Sequence, residues 1–182
     1  MSIKKDLLPS FCYGSNTITN EGAVIHYYSA VNIDSDNRFD VTANRRLMID
    51  LNRASHEREW YKMPDLKNRV YASYHYIIPR EGDPIQLVPL DKRAYHAGKS
   101  EINGRENLNN WTIGIGMLAT HTSGFTESQY NWGARICHIN RIRQNKVWGH
   151  DQVAPNRKKD PGPEFDWDKF KRRIQSRFTG TI

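Results

Sequence analysis

The sequence is poor in features that mark several common classes of protein. It has only two cysteines, Cys12 and Cys137, and no CxxC pair, so a disulfide framework is excluded and both are expected to be free, buried thiols. No apolar run approaches the roughly 18 residues of a membrane span. The opening MSIKKDLLPSFCYG also has no apolar core of a signal peptide. We therefore expect synthesis in a reducing cytosol, without a membrane segment.

Internal repeats, low-complexity tracts and long linkers are missing as well. The 182 residues suffice for one domain with a real core, whereas two domains would be cramped. We expect one domain over 1–182, with an N-terminal arm over 1–20 and a basic C-terminal helix over 166–178. The 27 Lys and Arg exceed the 20 Asp and Glu, giving a net charge of +7. Such a surface attracts nucleic acid, anionic lipid or cell-wall polymer, and charge alone does not choose among them.

Apolar patterning and turn residues predict an α/β fold with a central mixed sheet flanked by helices. The first strand is apolar on both of its faces, which is typical of a central strand. The third strand, WTIGIGML, carries glycines that permit close backbone approach. The predicted strands are 23–29, 72–79, 111–118 and 147–149, with a hairpin turn at 80–83 and a loop at 103–110. The predicted helices are 43–57 with Asp40 or Thr42 as cap, 127–144 capped by Thr126, and a last helix capped by Asp166.

Three polar residues lie where a metal could be held. His26 interrupts an apolar strand, where an unpaired polar ring would cost about 1–3 kcal/mol. His150 follows a short strand, and Asp160 precedes Pro161 on a loop stiffened by further proline. Two imidazoles and one carboxylate leave a fourth tetrahedral position for water, as catalytic zinc requires. The spacing His-x9-Asp by itself is only a weak indication of metal.

Five sequence blocks carry a resemblance to a known family. They are AVIHYYSA at 23–30, ASYHYIIPREG at 72–82, LDKRAYHAG at 90–98, NNWTIGI at 109–115 and GHDQVAPNRKKDPGPEFDW at 149–167. In this order they resemble the type-2 N-acetylmuramoyl-L-alanine amidases. That zinc-dependent family includes amidase-type phage lysozymes, bacterial muropeptide-recycling amidases and animal peptidoglycan-recognition proteins. The resemblance implies a peptidoglycan-recognition-protein-like fold and one Zn²⁺.

The resemblance also implies roles for individual residues. The implied zinc ligands are His26, His150 and Asp160; the implied catalytic residues are Tyr74, beside the metal, and Lys158, on the oxyanion; the implied substrate-binding residues are His96, Asn110 and Trp111. The chemistry is coherent, because zinc lowers the pKa of bound water towards ~7 and a nearby lysine stabilises an oxyanion. Tyr74 and His75 project to opposite faces of one strand, so His75 is expected to be a core histidine. Trp111 could instead be a packing residue.

One position departs from the recycling branch of the family. That branch carries a catalytic glutamate in the motif IGIE, whereas this strand reads IGIG, with Gly116 at that place. Either Tyr74 and a zinc-bound hydroxide share the role, as in phage-type members, or the chain is a weakened enzyme; we favour the first. The 31–70 segment matches the family poorly, and it either lines the groove or pads the fold.

These expectations lead to a phage endolysin that cuts the amide bond between N-acetylmuramic acid and L-alanine. It would accumulate in the host cytosol as a monomer and reach its partner, peptidoglycan, after a holin opens the membrane. The basic C-terminal helix could contact an anionic outer membrane, although such helices more often pack on their own domain. The alternative is a non-catalytic peptidoglycan-binding module of the same fold. A nucleic-acid partner is not expected, because no DNA-binding motif is present.

Overall fold

The computed structural model describes residues 2–29, 38–58 and 68–180. Within them the chain forms a central mixed sheet flanked by helices, which confirms the expected α/β fold class. The strands are β1 (Lys4–Lys5), β2 (Tyr13–Thr17), β3 (Gly22–Tyr28), β4 (Tyr76–Ile78), β5 (Ile85–Gln86), β6 (Lys92–Ala94), β7 (Glu101–Ile102), β8 (Arg105–Glu106), β9 (Thr112–Leu118) and β10 (Val147–Gly149). The α-helices are α1 (Val41–Leu51), α2 (Glu127–Ile139), α3 (His150–Val153) and α4 (Trp167–Thr179).

The main sheet has six strands in the order β1-β5-β4-β9-β3-β10. Strand β3 runs parallel to both of its neighbours, β9 and β10, and β9 is also parallel to β4. The carboxyl ends of these four strands therefore meet at one edge of the sheet, the edge at which open α/β sheets bind ligands. Because Gly149 pairs with Ile25, the next residue, His150, emerges beside His26. The prediction of a central first strand is confirmed.

The two faces of the sheet have different roles. Ile25, Ile115 and Met117 point to the face covered by α2 and α4, where they join the main hydrophobic core with Phe170. Side chains at alternate positions of β3 and β9 point the other way, so His26 faces the second side of the sheet. Both cysteines are free and buried, as predicted; Cys137 of α2 lies in the main core, and Cys12 lies in a second cluster on the cleft side.

The helix starts were predicted better than the helix ends. Asp40, and not Thr42, caps α1, with its carboxylate 2.7 Å from the Ala43 N–H. Helix α1 ends at Leu51, short of the predicted 57, and α2 ends at Ile139, short of the predicted 144. At the end of α2, Arg141 adopts a left-handed backbone with φ 58°, which turns the next residue back into the core. Thr126 and Asp166 cap α2 and α4 as expected.

Two strand predictions need correction. The predicted loop at 103–110 contains the turn and the second strand of the β7–β8 hairpin, and the Asn103-Gly104 turn has positive φ at both residues. Asn-Gly is a strong hairpin signal because both residues tolerate this backbone, so the loop prediction overlooked it. The strand predicted for 72–79 is shorter in the structure, where β4 covers only Tyr76–Ile78.

The N-terminal arm joins the fold, since β1 pairs with β5 and β2 pairs with β6. Of the 31–70 segment that matches the family poorly, residues 31–37 and 59–67 lie outside the described residues. Among the described residues no helix has the length and apolar character needed to cross a membrane.

His75 is a core histidine, as expected, although the parity argument does not hold: residues 72–75 precede β4, and the His75 ring lies 6.0 Å from the ring of His96. It is fully buried, its Nδ1 accepts a hydrogen bond from the Gly114 N–H at 2.9 Å, and its Nε2 lies 2.9 Å from the Lys92 carbonyl oxygen. The ring thus ties β9 to the segment that leads into β4. Burial lowers the pKa of His75 to about 4, although its bond to the Lys92 carbonyl acts in the opposite direction.

The buried histidines make the metal-free protein sensitive to acid. The pKa of His75 and of His26 is about 4 in the folded chain, below the usual value of 6.5 that they regain on unfolding. As the pH falls, the unfolded state therefore binds these protons before the folded state does. The free energy of unfolding is greatest above pH 6.5 and decreases as the pH drops towards 4. Between these two pKa values the free energy of unfolding should change by about 1.4 kcal/mol per pH unit for each proton. Urea unfolding of the metal-free protein across this range measures it.

His75→Gln should lower the slope of unfolding free energy against pH by the contribution of one proton. The matched control is His138→Gln, which makes the same change at an exposed histidine of α2. An identical slope in wild type and His75→Gln would contradict the assignment of His75 as a neutral core histidine.

Candidate active site

Three predicted ligand side chains converge at the carboxyl edge of the sheet. His26 lies near the end of β3, His150 is the first residue of α3 directly after β10, and Asp160 lies on the loop that follows. The two Nδ1 atoms are 3.0 Å apart, and the Asp160 Oδ2 is 3.0 Å from the His26 Nδ1 and 3.1 Å from the His150 Nδ1. Both imidazoles are buried, and Asp160 is mostly buried. One ion could contact all three atoms.

The protonation states fit a cation rather than an ion pair. Burial, followed by the neighbouring His150, lowers the pKa of His26 to about 4, so this ring is neutral at neutral pH. Burial tends to raise the pKa of Asp160, but its contacts with His150 and His26 outweigh burial, and the net pKa is lowered. Atoms with lone pairs therefore face one point, and two imidazole nitrogens with one carboxylate oxygen are a ligand set of catalytic zinc.

A chain of hydrogen bonds fixes which nitrogen of His26 faces the ligand cluster. The His96 Nε2 lies 3.3 Å from the Thr112 carbonyl oxygen, to which it must donate. The His96 Nδ1 is then an acceptor, and it lies 3.3 Å from the His26 Nε2. His26 therefore carries its proton on Nε2, which leaves the Nδ1 lone pair for the cluster. His150 is fixed in the same way, because its Nε2 lies 3.3 Å from the Ala97 carbonyl oxygen.

His96, predicted to bind substrate, lies behind His26. Its ring meets the ring of His26 edge-on at 5.4 Å, and 5% of the residue is exposed. Space for this ring depends on Gly114, where a Cβ would lie only 2.5 Å from His96 Cγ. His96 also lines the cavity over the cluster, so contact with substrate stays a prediction. The structure adds a positioning role towards His26.

Tyr74 occupies the space beside Gly116. Its ring centroid is 4.9 Å from that of His26, and a Cβ on Gly116 would lie 3.1–3.2 Å from the Tyr74 ring. A glutamate at 116, as in the recycling branch, would press against the Tyr74 ring and require it to shift. Burial, with the nearby Asp160 carboxylate, raises the pKa of Tyr74 well above its usual value. At neutral pH Tyr74 is therefore a protonated phenol with a proton available for donation.

A cavity of about 510 Å³ opens over the cluster. Lys158 and Lys159 both line it, Lys158 half-buried and Lys159 exposed. The loop that carries them is held by Arg157, whose guanidinium donates to the carbonyl oxygens of Ala97 and Lys99. The cavity is also lined by residues that the sequence reading did not single out, namely Tyr27, Tyr28, Ser29, Val70, Tyr71, Ala72, Tyr95, Gly98 and Arg157. Of these residues, Arg157 could have been selected from the sequence, because it directly precedes Lys158 in the matched block at 149–167.

The other two predicted substrate-binding residues lie away from the cluster. Trp111 is buried, packs edge-on against Trp148 at 5.7 Å, and donates its indole N–H to the Glu106 carbonyl oxygen. This is the packing role that the sequence left open. Asn110 is exposed, and its side-chain oxygen lies 3.4 Å from a guanidinium nitrogen of Arg93. Neither residue lines the 510 Å³ cavity.

A family model described as N-acetylmuramoyl-L-alanine amidase matches residues 16–163. The chain belongs to this amidase family. A curated member, the 1,6-anhydro-N-acetylmuramyl-L-alanine amidase AmpD of Citrobacter freundii, is 44% identical over 104 residues, covering 55% of this chain and 56% of AmpD. The chain thus spans about half the length of the curated relatives it matches.

Solved structures of amidases agree with this membership. A crystal structure of a selenomethionine derivative of AmpD superposes with a TM-score of 0.72 at 29% identity, covering 94% of each chain. The amidase AmiD of E. coli, in complex with anhydro-N-acetylmuramic acid-L-Ala-D-gamma-Glu-L-Lys, gives a TM-score of 0.59 at 23% identity. That match covers 87% of this chain and 59% of the AmiD chain, and it shows the common fold.

Removing the hydrogen bonds of His96 should weaken metal binding. His96→Leu removes both the acceptor for His26 and the donor to Thr112, so zinc affinity should fall about 10- to 100-fold. His96→Gln can still accept and donate, and it should lose less. Competition with a chromophoric chelator measures the affinity, with His75→Gln as the control for loss of a buried histidine. Wild-type affinity in His96→Leu would show that the bond does not position His26.

Gly116 and Tyr74 should be energetically coupled. Gly116→Ala places a methyl group against the Tyr74 ring and should cost about 1–3 kcal/mol of unfolding free energy. In a Tyr74→Ala background the same change should cost clearly less, because the ring is gone. Urea unfolding of the four proteins of this cycle gives the coupling, which should be about 1 kcal/mol or more. Simple additivity of the two changes would contradict the packing of Tyr74 on Gly116.

Proposed function

We propose that this protein hydrolyses the amide bond between N-acetylmuramic acid and L-alanine in peptidoglycan, using one Zn²⁺ held by His26, His150 and Asp160. The convergence of these three ligand atoms beneath an open cavity carries the proposal. Membership of the amidase family and the names of the similar relatives support the choice of bond. A non-catalytic binding module would not need a complete ligand set.

Each residue of the site has a definite task in this reaction. A bound zinc ion supplies an acidified water and polarises the amide carbonyl. The Lys158 ammonium lies in the cavity, where it can stabilise negative charge that develops on the carbonyl oxygen. The ionised Asp160 balances charge at the cluster. Tyr74 forms a buried wall of the cavity beside His26.

Tyr74 takes a different role from the glutamate of the recycling branch. Among the described residues that line the cavity, Asp160 is the only one with a carboxylate. The phenol of Tyr74 stays protonated at neutral pH. Its Oη can therefore donate a hydrogen bond, or hold the proton that the leaving amine requires, but it does not act as a base in its resting state.

We further propose a role as a phage endolysin that acts on the intact wall after release from the host cytoplasm. The pairing of Tyr74 with Gly116 supports it, as does the net charge of +7, which suits an anionic wall. The exposed basic residues of α4, such as Lys171 and Arg172, could contact an anionic outer membrane. The names of the similar relatives favour a second candidate, an amidase of small 1,6-anhydro-muropeptides.

Mass spectrometry of digests tests the bond and separates the two roles. Purified protein should release peptides with new L-alanine amino termini, lose this activity with chelator and regain it with zinc. Rapid digestion of intact sacculi supports the endolysin, whereas activity confined to soluble anhydro-muropeptides supports the recycling role. Binding to sacculi without new amino termini would contradict amidase activity and leave the binding module.

Site variants assign the roles. His150→Ala should abolish activity with loss of zinc, and Lys158→Met should lower kcat about 100- to 1,000-fold if it stabilises the oxyanion. Lys159→Met is the matched control and should retain near wild-type activity. Equal effects of the two lysine changes would contradict the role of Lys158.

A further inference from the structure

Asp151 is an acidic residue next to the candidate site that the proposed reaction does not use. It follows the ligand His150 as the second residue of the four-residue helix α3. Its side chain is half-buried and does not line the 510 Å³ cavity over the ligand cluster. A role of Asp151 in the reaction must therefore act through another residue.

The main chain and the side chain of Asp151 both bind the loop that carries Asp160. The Asp151 N–H donates to the Asp160 carbonyl oxygen at 2.7 Å. The Asp151 carboxylate accepts a hydrogen bond from the backbone N–H of Gly162, two residues further along the loop. One residue of α3 thus holds the loop on both sides of Pro161, directly after the ligand Asp160.

Gly149 makes room for this contact at the end of β10. A Cβ on Gly149 would collide with the Asp151 Oδ1 and would lie 2.8 Å from the Pro161 Cδ. Any side chain at position 149 would therefore displace both the carboxylate and the loop. The end of the strand, the start of α3 and the loop form one closely packed unit, so a change at Asp151 is transmitted to the loop.

Packing alone does not explain a carboxylate at this position. The Asp151 Oδ1 is buried and has no hydrogen-bond partner in the described part of the chain. A buried polar atom without a partner disfavours folding, and a small apolar side chain would avoid that penalty. What the carboxylate adds is its bond to the loop, and this loop carries a ligand, Asp160, together with Lys158.

We propose that Asp151 is a positioning residue, which holds the loop at 158–162 so that Asp160 meets the two imidazoles and Lys158 keeps its place in the cavity. Hydrogen bonds from outside the ligand set commonly orient metal ligands in this way. The part that concerns Lys158 rests on the proposed function, whereas the ligand geometry can be measured without any reaction.

Metal binding tests the positioning of Asp160 directly. Asp151→Ala should lower the affinity for zinc about 10-fold or more, measured by competition with a chromophoric chelator. The visible absorption of bound Co²⁺ should also change, because it reports the arrangement of the ligands. Asp151→Asn keeps an oxygen that can accept from the Gly162 N–H, so it should restore most of the wild-type affinity and spectrum.

Gln152→Ala is the matched control on the same helix. The Gln152 Oε1 accepts from the Gly149 N–H at 3.0 Å, so this side chain holds the start of α3 rather than the loop. Its removal should leave the zinc affinity and the Co²⁺ spectrum near those of wild type. Thermal unfolding of each metal-free variant verifies that it is folded.

A double-mutant cycle in kcat tests the positioning of Lys158. At saturating zinc, Lys158→Met should lower kcat about 100- to 1,000-fold in the wild-type background and by a clearly smaller factor in Asp151→Ala. The reason is that the ammonium is no longer held in place once the loop is released. Equal factors in the two backgrounds would overturn the effect of Asp151 on Lys158.

Two results would overturn the positioning of Asp160. One is a folded Asp151→Ala variant that binds zinc and Co²⁺ as wild type does. The other is an Asp151→Asn variant that is as impaired as Asp151→Ala, because the bond to the Gly162 N–H would then not be what matters. If the wild-type protein has no amidase activity, the proposed function fails separately, and the metal measurements still decide whether Asp151 positions the ligand loop.

Discussion

The site depends on the register in which β10 pairs with β3. Gly149 lies opposite Ile25, so His150 leaves the strand at the level of His26. A slip of one residue would turn one of the two imidazoles to the opposite face of the sheet. The same register places Ile25 in the main core, so the packing that stabilises the domain also fixes the spacing of the ligand pair. Asp160 is then brought to the pair by its loop, whose Asp160 carbonyl accepts a hydrogen bond from the Asp151 N–H at 2.7 Å.

The glycines of β9 make the cleft face of the sheet possible. Gly114 and Gly116 occupy alternate positions, and each one yields its side-chain space to a residue from elsewhere in the chain. His96 fills the space over Gly114 and reaches His26, while Tyr74 fills the space over Gly116. Both are buried polar groups that would be costly without partners, and the hydrogen bond from His96 to the Thr112 carbonyl helps to satisfy one of them. The motif IGIG thus serves the packing of two functional rings as well as the strand itself.

Sequence reasoning reached the strands and the ligands more easily than the surroundings of the ligands. The strand over Gly22–Tyr28 was predictable because its apolar residues occupy both faces, and Asp166 was recognisable as a helix cap. The helix ends were missed because tertiary contacts, such as the return of Ile142 to the core, decide where a helix stops. The convergence of His26 with Asp160 was predicted from the family resemblance. The number of residues between them does not indicate how far apart they lie in the folded sheet.

The contact between His96 and His26 could not be predicted for the same reason. The two residues lie 70 positions apart in sequence, and only the fold brings their rings together. Trp111 shows the reverse. Its place in a matched motif implied substrate contact, with packing as the alternative, and the structure shows its indole against Trp148 and the Glu106 carbonyl, while substrate contact stays a prediction.

The contact between Tyr74 and Gly116 also constrains the order in which a lineage can exchange the two versions of this site. A glutamate arriving first at 116 would press against the tyrosine ring and lower the stability of the fold. A small residue arriving first at 74 leaves only a gap, which is a milder defect, and the acid can follow. Passage from the tyrosine form to the glutamate form therefore runs through an ancestor with two small residues and neither functional group. Because such an intermediate lacks both functional groups, the two forms tend to persist as separate branches.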